Sequence, residues 1–198
     1  AVSITADTAA TGGAVTLGST LDAGGNAITI IGSEVTFSGG AGSISNSSGL
    51  TLRASTAAAD IDLGSAAGAA TFKVDATDWA AIADAVPVTV GDAASYTGTV
   101  TIAGALTNNH TLGISFLNGG GGDLVVNNAI TGTGSLTVTG SGGTTTIAAD
   151  ITQAAISITD DIIISGAGSR TLTSTSGGIT LDATGVGRSI SADNALSN

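Results

Sequence analysis

A short strand-like phrase recurs along the whole 198-residue chain and limits what the chain can fold into. In each copy, two apolar residues flank one small polar residue, and Gly, Asn, Asp or Ser often follows. Clear copies are Ala27–Ile30, Leu50–Leu52, Val100–Ile102, Leu136–Val138 and Ile179–Leu181. Between residues 88 and 138 the phrase returns at a step of about 12 residues. Because one copy cannot bury its own apolar face, the copies must stack on one another, and the repeat predicts an elongated solenoid.

Composition favours this solenoid over a compact sandwich. The chain is 42% hydrophobic but only 3% aromatic, whereas a sandwich core normally needs more large rings. The 31 Gly supply many tight corners. Apolar positions two residues apart indicate half-buried strands, and the scarcity of hairpin dipeptides favours parallel stacking of those strands. The sequence therefore predicts an all-β, parallel β-helix with roughly eight to ten coils of about 20–25 residues each.

The interior of this predicted β-helix is a ladder of apolar side chains contributed by successive strands. Stacking them removes apolar surface from water, which stabilises the fold by roughly 25 cal/mol for each Å² buried. The small polar residues between them are predicted to face outward and keep the rod soluble. The residues predicted to form this structural core ladder are Ile28, Ile30, Leu50, Leu52, Leu63, Val74, Val100, Ile102, Leu112, Ile114, Leu136, Val138, Ile158, Leu172 and Leu181.

One segment, residues 75–86, interrupts the strand pattern. It lacks Gly, and Trp79 and Ile82 are spaced to share one face of a helix. With Thr77 as the expected N-cap, we predict a short helix over residues 77–85. Residues 75–86 are predicted to be a helical insertion between coils of a single β-solenoid domain over residues 1–198, which we expect to be a segment of a longer chain. Two interpretations of Trp79 stay open: a lid packed over the core, and a binding contact at the surface.

Charge and composition exclude several classes of function. The chain has four basic and 15 acidic residues, which give a formal net charge of −11. Binding to nucleic acid or to an anionic membrane surface needs basic groups that this chain nearly lacks. No apolar run is long enough for a transmembrane helix, so no membrane insertion is expected. The absence of Cys excludes disulfides, thiolate metal sites and Cys nucleophiles.

No convincing catalytic or metal site is predicted. The chain's single His, His110, stands at a corner and is interpreted as a solvated turn residue rather than a catalytic base. The pairs Asp60/Asp62 and Asp160/Asp161 are interpreted as outward, solvated carboxylates. A polysaccharide-active enzyme would pair its carboxylates with basic and aromatic companions, and these are missing. We therefore predict no catalytic residue and no cofactor.

Two further sequence patterns resemble those of proteins that bind calcium or ice. The Gly-rich run at residues 119–124 resembles one imperfect copy of a calcium-binding nonapeptide repeat, with no second copy following. It is predicted to be a corner without a bound metal. Thr-x-Thr pairs are frequent, but their spacing along the sequence varies widely. An ice-binding surface needs such pairs in fixed register on successive coils, so the variable spacing argues against it.

The stretch over residues 75–104, DATDWAAIADAVPVTVGDAASYTGTVTIAG, carries a family resemblance. An acidic, Ala-rich helical turn precedes two Val/Thr-rich strands there. This arrangement resembles the filamentous-haemagglutinin-like exoproteins and giant adhesins of Gram-negative bacteria. The resemblance implies a right-handed parallel β-helix that carries the chain outward from the cell.

From the repeat and this resemblance we expect a non-enzymatic structural segment of a secreted or cell-surface bacterial adhesin or fibre. Its partners would be a protein or glycan receptor and, by end-to-end or lateral contact, further copies of itself. The first alternative is a self-assembling extracellular filament subunit, since unpaired strands at the ends of a rod are templates for stacking. A polysaccharide-active β-helix enzyme and an ice-binding solenoid are further alternatives.

Overall fold

The computed structural model describes residues 1–6, 13–67, 72–110, 114–183 and 189–192. Over these residues the chain is mostly parallel β-sheet, wound into a β-solenoid of about eight turns with almost no helix. Every strand pairing within the described ranges is parallel. The predicted all-β solenoid of parallel strands is confirmed.

Short strands and one short helix follow one another along the chain. The elements are β1 (Val2–Thr5), β2 (Ala14–Leu17), β3 (Leu21–Asp22), β4 (Ala27–Gly32), β5 (Glu34–Phe37), β6 (Ile44–Ser45), β7 (Gly49–Ala54), β8 (Ile61–Gly64), β9 (Phe72–Asp75), α1 (Ala76–Ala80), β10 (Val88–Asp92), β11 (Thr99–Ile102), β12 (Leu106–Thr107), β13 (Ile114–Asn118), β14 (Asp123–Val126), β15 (Ile130–Thr131), β16 (Leu136–Ile147), β17 (Ile151–Ile164), β18 (Leu172–Asp182) and β19 (Ile190–Ala192).

These strands stack into three faces around a thin core. Face one consists of β1, β4, β7, β10 and β13, followed by the start of β16, the middle of β17 and the end of β18. Face two holds β2, β5, β9, β8, β11 and β14, then the ends of β16 and β17, and β19. Face three is built from β3, β6, β12 and β15 with the starts of β17 and β18.

The 12-residue step of the sequence links neighbouring faces rather than neighbouring coils. Val88 on face one pairs with Ile114 of the following coil, whereas Val100 lies between them on face two. One coil in this region therefore takes about two steps. Coil length varies along the chain because the corners differ in length and because one coil also contains β9 and α1, while the stacked strands stay in register.

The core consists of the apolar residues that alternate with polar ones along each strand. Most residues of the predicted ladder are at most 1% exposed, and Leu172 and Leu181 are partly buried at the last coils. Leu112 and the side chain of Ile114 lie outside the described residues. The fully or nearly fully buried ladder residues are Ile28, Ile30, Leu50, Leu52, Leu63, Val74, Val100, Ile102, Leu136, Val138 and Ile158.

The helical segment is shorter than predicted and begins with a different cap. The N-cap is Asp75, not Thr77, because a carboxylate oxygen of Asp75 accepts the N–H groups of Thr77 at 2.7 Å and Asp78 at 2.8 Å. The helix ends before Ile82, which forms a parallel bridge with Ile44 on face three. The chain thus returns to the coil about one turn after leaving it.

An extra strand accompanies this helix. After β8, the chain adds β9 beside it on face two before α1 begins, so this coil contributes two strands to one face. β9 also lies against β5 of the preceding coil. Among the helices that the structure describes, none has the length and apolar character to span a membrane.

Candidate functional site

The helix α1 is fixed to the next coil through Trp79. The Trp79 side chain is only 4% exposed, and its Nε1–H donates to the carbonyl oxygen of Thr107 at 2.9 Å. The indole also meets the ring of His110 edge to face, with centroids 5.2 Å apart and planes at 74°. Trp79 is thus packed between α1 and the next coil, and little of its side chain is left exposed for a contact at the surface. A large ring with one polar atom is buried here because both its apolar body and its N–H find partners.

His110 is buried rather than solvated, which corrects the interpretation drawn from the sequence. It is 2% exposed, and its Nδ1 lies 3.3 Å from the carbonyl oxygen of Ala83. Since a carbonyl oxygen can only accept, Nδ1 carries the proton in this contact. Nε2 has no hydrogen-bond partner among the described residues. Burial lowers the pKa of His110, opposed by the Ala83 carbonyl and by the charge of Asp84. The imidazole is neutral at pH 7 as a result.

Acidification from pH 7.5 to pH 5 is expected to lower the stability of α1 and its corner. The pKa of His110 is lower in the folded chain than in the unfolded one, so protons bind the unfolded state more readily. The stabilisation is complete above the unfolded value, near 6.5, and is lost as the pH falls through the folded pKa. Trp79 is the chain's single Trp, so its fluorescence during urea unfolding reports on this contact.

The matched control for this experiment is His110→Asn, whose amide nitrogen takes the place of Nδ1 and keeps an N–H donor for Ala83, but which does not titrate in this range. The variant should lose the part of the pH dependence that belongs to His110, while the contributions of the carboxylates remain. An identical pH dependence in both proteins would show that His110 is not the responsible group.

A buried carboxylate ties the other side of α1 to face two. Asp78 is 7% exposed, and its Oδ1 accepts the N–H of Phe37 in β5 at 2.6 Å. Burial raises the pKa of Asp78, although the hydrogen bond from Phe37 opposes this effect. The helix is thus held to an earlier coil through Asp78 and to a later coil through Trp79.

Between α1 and the corner at residues 105–110 lies a cleft of about 250 Å³. Trp79 and His110 form part of its wall, and Asp84 and Asn109 add polar groups. In the described part of the chain, no three His, Cys, Asp or Glu residues come together in a way that could hold a metal ion. The cleft brings together a neutral imidazole and a carboxylate.

Two of the carboxylates interpreted as outward and solvated are in fact buried. Asp62 is 5% exposed, and it pairs in register with Lys73 of the extra strand β9. Asp160 is 0% exposed, and its Oδ2 accepts the hydroxyl of Thr145 at 2.7 Å. Gly140 leaves the space that the Asp160 carboxylate occupies, since a Cβ there would collide with it. Both acids are therefore structural parts of the coil.

Other acids lie at corners, where a carboxylate of one coil accepts a backbone N–H of the next. Asp123 follows the Gly-rich run, and its Oδ1 accepts the N–H of Thr144 at 2.8 Å and its hydroxyl at 3.0 Å. The Gly-rich run at residues 119–124, which resembles a calcium-binding repeat, thus contains a corner carboxylate of this kind. The same contact recurs in the pairs Asp60 with Thr99, Asp150 with Thr171, and Asp161 with Ser189.

Face one carries a feature that was not visible from residue spacing: an in-register ladder of hydroxyl residues. The central outward position of each strand is Ser or Thr wherever the structure describes the side chain, so the irregular spacing of Thr along the chain conceals a regular surface. The hydroxyls of Thr29, Thr51 and Thr89 make no hydrogen bond to the described protein groups. In coil order, the described members of the ladder are Ser3, Thr29, Thr51, Thr89, Thr137, Ser157 and Thr180, and the backbone register places Ser115, whose side chain lies outside the described residues, between Thr89 and Thr137.

No protein-family model, curated protein or solved structure matches the chain. Its function is therefore inferred from the solenoid, from the buried contacts of α1 and from the outward ladder of face one.

Proposed function

We propose that this chain is a structural, non-enzymatic β-solenoid segment of a secreted or cell-surface bacterial adhesin or fibre. The observation that carries the proposal is the apolar ladder that runs through the described coils with nearly every inward side chain fully buried. With one coil for each ~4.8 Å, about eight coils make a rod on the order of 40 Å long. The resemblance of residues 75–104 to adhesins supports the cellular setting.

The mechanical role follows from the direction of the hydrogen bonds. In a parallel solenoid, backbone hydrogen bonds between coils run along the rod axis, so each coil is attached to its neighbours by a row of them. The net charge of −11 keeps such rods soluble and limits nonspecific contact. A segment of this kind holds other parts of a long protein at a fixed distance from the cell.

The proposed location, secreted or on the cell surface, can be tested with antibodies raised against the chain. Bacteria that carry the gene should be labelled without permeabilisation, or the protein should be found in the culture medium. Labelling that requires permeabilised cells, with none in the medium, would contradict a secreted or surface location. Degradation of a polysaccharide by the purified chain would contradict the non-enzymatic part.

A self-assembling filament subunit is a second candidate. Ile179 in β18 and Ile190 in β19 are 43% and 52% exposed, and they are the only large apolar residues of the described chain exposed to that degree. A copy stacked on this coil would cover them and pair with the strands. Sedimentation at rising concentration should then show association that Ile179→Ser/Ile190→Ser weakens. A monomer at all concentrations would exclude this candidate.

A further inference from the structure

Face one bears a groove of about 410 Å³ over the hydroxyl ladder. Thr29, Thr51 and Thr89 form its floor. Along one side stands an ion pair between the Arg53 guanidinium and the Asp92 carboxylate, whose side chains are 38% and 18% exposed. The groove therefore offers hydroxyls that both donate and accept, next to a group of donors and a group of acceptors.

The row beside the hydroxyls completes the lining of the groove. Gly91 and Leu117 pair in register in this row, and both line the groove. Leu117 adds an apolar group to its wall. The lining thus combines hydroxyls, one ion pair and a small apolar patch, which suits a ligand with hydroxyl groups on an otherwise apolar ring.

The ladder continues beyond the groove in both directions along the rod. Strands of a sheet are ~4.8 Å apart, so hydroxyl residues recur at that interval along face one. A ligand that extends along the rod would meet an equivalent group on each coil. Single contacts of this kind are weak because each replaces a contact with water, but many along one chain add up through multivalency.

We propose that face one binds a neutral, linear polysaccharide laid along the solenoid axis. The net charge of −11 disfavours a polyanion. A protein partner would need large apolar anchors, and the ladder itself presents only Ser and Thr. The inference rests on the proposed function in one respect, because a segment outside the cell is the kind that meets such polymers.

The experiment measures binding of the full chain to dextran and to glucomannan, with glucose and mannose as single-unit probes. At least one of the polymers should bind, and the single sugars should show at least a hundredfold weaker affinity. Thr51→Val/Thr89→Val removes two hydroxyls with little change of shape and should weaken binding at least tenfold. Thr51→Ser/Thr89→Ser keeps the hydroxyls and should bind nearly as the parent does.

The matched control lies on face two, where Thr101 and Thr146 occupy the corresponding outward positions. Thr101→Val/Thr146→Val should leave binding unchanged, and circular dichroism should show the same fold for all variants. The proposal would be overturned if the chain bound neither polymer, or if the face-two control variant lost as much affinity as Thr51→Val/Thr89→Val. It would also be overturned if the chain preferred heparin, or if it self-associated in a way that Thr51→Val/Thr89→Val abolishes.

The two proposals can fail separately. A chain that labels intact cells but binds neither polymer leaves the proposed function standing and overturns this inference. A chain that binds a polymer through face one but stays inside the cell supports this inference and contradicts the proposed setting.

Discussion

Replacing Leu136 with Asp is expected to unfold the coils around β16. Leu136 is 1% exposed and lies in the ladder between Ile114 and Ile156. The change removes a packed side chain, which alone costs about 2–5 kcal/mol, and leaves a carboxylate without a partner in the core. Urea unfolding followed by circular dichroism should show the loss. Hydrogen exchange should place it in the coils on either side of β16, since each coil contacts mainly its neighbours.

The neighbouring residue supplies the control. Thr137 faces outward in the same strand, between Ser115 and Ser157. Thr137→Asp adds the same charge to the outside and should change the free energy of unfolding by less than about 1 kcal/mol. Equal destabilisation by the two Asp substitutions would mean that the inward and outward sides of β16 have been assigned wrongly.

Gly91→Ala is expected to destabilise the chain more than the same change at Gly142. Both Gly have positive φ, at +91° and +96°, where a side chain costs about 1–2 kcal/mol. A Cβ on Gly91 would also collide with the carbonyl oxygen of Leu117 in the next coil, whereas no atom lies within 4 Å of a Cβ on Gly142. Relief of the collision requires the two coils to separate locally, which adds about 1–3 kcal/mol.

The comparison of the two Gly variants isolates the contact between coils. The midpoint and slope of urea unfolding should be measured for both, with the parent chain beside them. If Gly91→Ala and Gly142→Ala lower stability equally, close approach of the coils at Gly91 contributes nothing and backbone conformation explains the whole effect.

The stacked strands could be predicted from the sequence because their signal is local. In Leu50–Leu52, for example, two apolar residues around Thr51 indicate which side faces inward, and that alternation needs no knowledge of distant residues. Stacking then follows from the repeat. The sequence indicates a strand at Phe72–Asp75 but not its position, because it has the same local pattern as any other strand. Only its pairing with β8 in the folded chain makes it a second strand of that coil on face two.

The surroundings of single polar and aromatic residues could not be predicted in the same way. His110 follows two Asn residues, which is typical of an exposed corner, and only the packing of α1 over it makes it buried. Asp160 reads as half of an exposed acidic pair, yet the space left by Gly140 lets it lie inside. In each case the deciding neighbour is distant in sequence.

The register of the hydroxyl ladder is another property of the whole coil. Spacing along the chain between Thr51 and Thr89 is long, because β8, β9 and α1 lie between them, yet the two residues pair directly across β7 and β10. Corners, the extra strand and the helix absorb the difference in length. The spacing of Ser and Thr along the sequence therefore reflects the lengths of the connecting segments. It does not reveal the regular row of hydroxyls that the stacked strands form.

The corner carboxylates give the solenoid a direction of growth. At Asp60 with Thr99, Asp123 with Thr144 and Asp150 with Thr171, the acceptor belongs to the earlier coil and the N–H to the later one. A finished coil therefore exposes the group that positions the start of its successor, in addition to an open strand edge. Folding can then proceed vectorially, one coil at a time from the N-terminal side, while the rest of the chain is still extended.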